Sequence, residues 1–150
     1  MTAPLAGKTI LMSGGSRGIG LAIALRAAAD GANVALLAKT DTPDPRLPGT
    51  IHTAAEQIRA AGGNALAIVG DVRNDDDITE AVMKTQGEFG GIDIVVNNAS
   101  VLSLAGSLDL DAKRYDLMQD VNVRGTFMLS RAAIPILREA ENPHILSLSP

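Results

Sequence analysis

The sequence predicts an α/β domain: a doubly wound parallel sheet with helices on both faces. Three observations predict it. Short apolar runs alternate with helix-like segments along all 150 residues. Those runs are near-continuously apolar, as strands buried on both faces are. A turn with four glycines in seven residues, Gly14 to Gly20, joins the first strand to the first helix. The length, residues 1–150, suits one domain with a real core and is too short for two.

The elements follow in order. KTILMS, Lys8 to Ser13, is a short β run. From Gly18 to Asp30 the apolar positions Ile19, Ala22, Ile23 and Leu25 recur at helical spacing, and Gly31 stops the helix. NVALLA, from Asn33, is the second strand. Thr40 to Gly49 carries three prolines and is a loop. Thr50 to Ala61 is a second helix, ended by Gly62 and Gly63. NALAIVG is a third strand. Asp75 to Phe89 is a third helix, with Asp75, Asp76 and Asp77 at its positive N-terminal end. GIDIVVN is the fourth strand. Asp109 to Ala140 reads as mostly helical, with a kink or irregular turn at Pro135. HILSLS, from His144, is the fifth strand. Right-handed crossovers give an open doubly wound sheet, for which the Rossmann-type strand order 3-2-1-4-5 is expected, with a ligand site off the C-terminal strand ends.

Composition excludes several function classes. The charge of −4 gives no basic footprint for nucleic acid, and aromatics at 2% provide no base-stacking platform. No window reaches the length of an uncharged apolar membrane span. Cysteine is absent, so disulfides and thiolate metal sites are excluded and a cytoplasmic location is expected. His52 and His144 are isolated, and no metal site is expected. The run Asn74 to Asp77 reads as a helix cap, because the spacing of a calcium loop is missing.

The glycine turn carries the chemistry. A helix N-terminus offers unpaired N–H groups and a positive dipole end, which suit a pyrophosphate approaching bare backbone. The spacing is Gly14-x-x-x-Gly18-x-Gly20, with Arg17 where the second glycine of Gly-x-Gly-x-x-Gly would stand. A glycine turn needed only for tight packing is the competing reading. The dinucleotide reading makes the sheet Rossmann-type.

That spacing, preceded by Ser13, resembles the cofactor motif of the short-chain dehydrogenase/reductase family. GDV (Gly70 to Val72), NNAS (Asn97 to Ser100) and DVNVRGTF (Asp120 to Phe127) resemble further motifs of the family, in the right order. The proline-containing insert before GTIHTAAE resembles one branch of it. The resemblance implies reversible hydride transfer between a nicotinamide cofactor and a small-molecule carbonyl or alcohol substrate. It implies cofactor-binding roles for Gly14, Gly15, Ser16, Arg17, Gly18, Ile19, Gly20, Lys39, Asp71, Val72, Asn98 and Ala99. Asp71 would accept from the adenine amino group, or is a solvated loop carboxylate or helix cap. Asn98 would lie against the ribose, and Asn97 would tie strand ends together. Asn122 is either the holder of a water in a proton relay or a satisfied core amide. The complete protein is expected to be a homo-oligomer.

The family's acid–base pair is a tyrosine with a lysine four residues on, after the fifth strand. Tyr115 is followed at that offset by Gln119 and precedes that strand, so it does not fit. Pro150 stands where the family's serine is found, leaving its neighbour Ser149 as the candidate. The chain reads as the N-terminal part of a longer enzyme, inactive by itself. A non-catalytic nucleotide-binding or scaffold protein of the same fold is the alternative. A methyltransferase fits poorly, because Ala38 and Lys39 end the second strand where an acidic residue would bind ribose hydroxyls. Lys39 and Arg17 favour the 2′-phosphate of NADP(H); the alternative is NAD(H), which a short loop shift bringing Asp41 to the ribose would favour.

Overall fold

A computed structural model describes residues 3–149. The strands are β1 (Thr9–Ser13), β2 (Asn33–Ala38), β3 (Asn64–Val69), β4 (Ile94–Asn97) and β5 (His144–Ser147). They form one parallel sheet in the order β3-β2-β1-β4-β5. The α-helices are α1 (Gly18–Ala29), α2 (Ile51–Ala60), α3 (Asp75–Phe89), α4 (Ala112–Met118) and α5 (Thr126–Leu137).

Side chains alternate across each strand, and both faces of β1, β2 and β4 are covered. Ile10, Met12, Val34, Leu36 and Val96 meet Ala24, Ala27 and Ala28 of α1 and Ile51, Ala54 and Ile58 of α2. Leu11, Ala35, Leu37, Ile68 and Val95 meet Ile78, Ala81 and Val82 of α3 and Leu129, Ala133 and Leu137 of α5 on the other face. The apolar runs of the sequence are therefore two interleaved faces, each covered by two helices. The alanine side of α1 lets that helix lie close to the sheet, which fixes where its N-terminus sits.

Local chemistry sets the helix ends. Thr50 and Thr53 form a reciprocal capping box on α2, and Asn74 Oδ1 accepts from Asp76 N and Asp77 N at the start of α3. Asp111 Oδ1 accepts from Arg114 N at 2.7 Å and starts α4.

The mostly helical region is observed as α4, a π-helical segment over Gln119–Gly125 and α5, starting at Ala112. Pro135 marks no irregular turn: it lies inside α5, which runs on to Leu137. The fifth strand is four residues, not six, although Leu148 N still donates to Asn97 O at 3.0 Å. β5 is an edge of the sheet among the described residues, and all four of its residues are exposed. No described helix is long and apolar enough to cross a membrane.

Candidate functional site

The C-terminal ends of β1 to β4 border a cleft of about 460 Å³. Its lining includes Gly14, Gly15, Ser16, Arg17, Ile19, Gly20, Lys39, Asp71, Val72, Asn98 and Ala99. Of the twelve expected cofactor residues only Gly18 is outside that lining. The sheet brings them together from four separate stretches of chain, as parallel strands of this order must.

The glycine turn is packed more tightly than a bare phosphate cradle requires. A β-carbon on Gly14 would lie 2.6 Å from Asn98 Nδ2, and one on Gly20 would meet the same atom and also Gly15 Cα at 2.8 Å. A β-carbon on Gly15 would press on Leu36 and Met12. Gly18 is different. Open space surrounds its missing β-carbon, and what requires glycine is a left-handed φ of +58°. Within the protein there is room beside Gly18, and the constraint the protein itself imposes there is backbone conformation.

Ser13 ties the turn to the opposite strand end. Its hydroxyl accepts from Asn98 N at 3.2 Å and Ala99 N at 3.1 Å. Asn97 is buried behind this joint, where its Nδ2 donates to Ser130 Oγ (3.0 Å) and Ser147 Oγ (3.3 Å). It holds β4, α5 and β5 together. Among the described residues its Oδ1 is a buried acceptor with no partner.

The start of α1 borders the cleft and differs from its counterparts. Arg17, at the N-cap, makes no side-chain capping bond, and no acidic residue occupies the first turn. α2, α3 and α4 each have a side-chain cap. Donors are thus left uncapped beside the cleft, which suits an anionic group.

The corner beyond β2 is cationic. Arg17 Nη2 donates to Thr40 Oγ1 at 2.7 Å. Lys39 Nζ lies 3.5 Å from Asp71 Oδ2. Arg73 grips the same carboxylate, with Nη2 2.6 Å from Oδ2, Nε 3.1 Å from Oδ1 and its backbone N 2.9 Å from Oδ1. The Arg73 hydrogen bonds, with a smaller attraction from Lys39, hold the Asp71 carboxyl down to about 2. Asp41, the residue that could oppose a 2′-phosphate, does not line the cleft. Its Oδ1 is 2.6 Å from His52 Nε2.

Asn122 sits in the π-helical segment. Its Nδ2 donates to Val101 O and its Oδ1 accepts from Val101 N, both at 2.8 Å. Both ends of the amide are therefore occupied in bracing the loop after β4. Neither Asn122 nor Ser149 lines the cleft. Ser149 follows the end of β5 and is exposed, and Pro150 lies outside the described residues. Tyr115 is half exposed on α4. Among the described residues no cluster of three metal-ligating side chains exists.

Sequence reasoning missed the capping role of Ser13, the anchoring of Arg17 by Thr40, the clamp of Arg73 on Asp71, and the apolar wall of Val101, Leu117 and Val121. Only Ser13 carried a usable signal, as the residue heading the glycine turn.

A glycine turn after β1 and a cleft across the ends of four parallel strands define a dinucleotide-binding α/β protein. The comparisons narrow the class. The short chain dehydrogenase family model matches residues 8–149, and the chain belongs to that family. It is 55% identical over 149 residues to hydroxysteroid dehydrogenase-like protein 2 of Bos taurus and of Homo sapiens, covering 99% of this chain and 36% of theirs. The chain thus falls in the hydroxysteroid dehydrogenase-like branch of the family. A short chain dehydrogenase from Mycobacterium thermoresistibile is 59% identical with a TM-score of 0.94, covering 97% of this chain and 52% of that one. An NADH-dependent reductase, A1-R′, crystallised with NAD is 31% identical with a TM-score of 0.84, over 98% of this chain and 61% of that one. The chain thus spans about a third of the length of these curated relatives.

Proposed function

We propose that this chain forms the cofactor-binding part of an NADP(H)-dependent short-chain oxidoreductase acting on a carbonyl or alcohol substrate. One observation carries the cofactor choice. At the end of β2 the cleft is bordered by Lys39 and Arg17, while the nearby Asp41 does not line it and is paired with His52. A carboxylate at that corner would suit a ribose 2′-hydroxyl; two cations suit a 2′-phosphate. The kinship with an NADH-dependent reductase does not weigh against this, because the choice is made by local charge rather than by fold.

The residues present fit such a cofactor. The uncapped start of α1 would receive the pyrophosphate. Asn98, packed against Gly14 and Gly20, would meet the ribose, and Asp71 the adenine amino group. NADP(H), when bound, supplies or accepts a hydride at its nicotinamide. Asn122 braces the loop after β4 that forms one wall of the cleft.

The test is titration calorimetry on the full-length protein and its Lys39→Ala variant with NADPH and NADH. Loss of a charge-assisted bond is worth about 1.5–3 kcal/mol. The variant should lose roughly ten- to a hundredfold in NADPH affinity and little for NADH. Equal loss for both cofactors would overturn the assignment.

A further inference from the structure

The proposed 2′-phosphate corner contains an element that should work against it. Asp71 is a carboxylate held ionised 3.5 Å from Lys39. Left alone, it would capture Lys39 and repel a phosphate arriving beside it. Arg73 changes both effects. It presents three donors to the carboxylate, from backbone N, Nε and Nη2, and these engage both oxygens. Lys39 stands farther off than the roughly 2.7–2.9 Å of a tight charge-assisted bond, and its side chain is largely exposed. Arg73 is itself anchored. Arg124 of the π-helical segment donates to Arg73 O at 3.3 Å and pairs with Asp75 at the head of α3.

We infer that Arg73 is a positioning residue for cofactor discrimination: by clamping and neutralising Asp71 it leaves Lys39 available to the 2′-phosphate. Arg73 need not touch the phosphate. It sets the charge and the orientation of the carboxylate, and through them the reach of Lys39. This rests on the NADP(H) reading above and adds to it a residue that the glycine turn and the end of β2 do not contain.

The experiment compares the NADPH-to-NADH affinity ratio, by titration calorimetry, in full-length wild type, Arg73→Gln, Asp71→Asn, the double variant and Lys39→Ala. The site is solvent-accessible, so effects are moderate. Arg73→Gln should lower the ratio about three- to tenfold. Asp71→Asn should raise it, because the opposing charge is gone and Arg73 remains. In the Asp71→Asn background, Arg73→Gln should cost less of the ratio than it does alone. An unchanged ratio in Arg73→Gln overturns the inference. So does an equal drop in both backgrounds, which would mean that Arg73 contacts the phosphate directly. If Arg73→Gln does not fold, Asp71→Asn still decides: a ratio that is unchanged or lower overturns it. Lys39→Ala separates the two levels. If it weakens both cofactors equally, the NADP(H) reading itself fails. If it is selective while Arg73→Gln is not, only the role of Arg73 fails.

Discussion

Replacing Ser13 with alanine tests the joint on which the cleft is built. Ser13 is 3% exposed, and its hydroxyl accepts two backbone N–H bonds, from Asn98 and Ala99. Alanine removes the acceptor and leaves both donors in place. An unsatisfied buried donor costs about 1–3 kcal/mol, so the upper bound for the pair is about 6 kcal/mol. Asn98 and Ala99 are only half-buried and line the cleft, so water reaches part of the gap. The expected loss is therefore about 2 kcal/mol. With a urea dependence of about 2 kcal/mol per molar, the unfolding midpoint of this domain falls by about 1 M. Ser13→Thr retains the hydroxyl and suits a strand, so it should stay near wild type. Urea unfolding of the full-length protein, followed by circular dichroism, measures all three proteins. A midpoint in Ser13→Ala within about 0.2 M of wild type, or Ser13→Thr as unstable as Ser13→Ala, would refute the reasoning.

The glycine turn supplies a contrasted pair. Gly20→Ala puts a β-carbon on Asn98 and on Gly15 Cα, so it should lower both thermal stability and cofactor affinity. Gly18→Val meets open space but forces a branched residue to φ +58°, about 1–2 kcal/mol of strain; cofactor affinity should collapse while the melting temperature drops only modestly. Calorimetric binding and melting curves that rank the two variants alike would contradict this assignment. For pH, the Asp71 carboxyl lies at about 2 in the folded protein, below its unfolded value. Its stabilisation is therefore complete above about pH 5 and lost as pH falls toward 2, amounting to about 1 kcal/mol after solvent screening. Asp71→Asn should flatten that part of the stability profile, and an unaltered acid limb would show that the Arg73 clamp contributes nothing.

The sheet and most of the helices are legible in the sequence because local signals coincide with tertiary need. Asp75–Phe89 begins at an asparagine cap with three acidic residues and ends at a left-handed glycine, Gly90. The residues of the cleft are legible through the order of their motifs. Their pairings are not. Ser13 meets its partners 85 and 86 residues away, and Arg17 meets Thr40 across 23. Periodicity and propensity say nothing about such contacts. The π-helical segment is equally hidden: Gln119–Gly125 contains no proline and differs from an ordinary helix only in its hydrogen-bond register. The glycine spacing pointed to a phosphate cradle, yet two of its glycines make room for Asn98, a residue of a different motif. Motifs that look independent along the chain are one packed unit in space.

The central claim is that the Lys39–Arg17 corner receives a phosphate on the adenosine ribose. It is tested most directly without the nicotinamide, by titrating the full-length protein with ADP-ribose and with ADP-ribose 2′-phosphate. The two ligands differ only at the group in question. The account predicts that the 2′-phosphate compound binds about tenfold or more tightly, with the advantage shrinking as salt is raised. Equal affinities, or tighter binding of ADP-ribose, would contradict it.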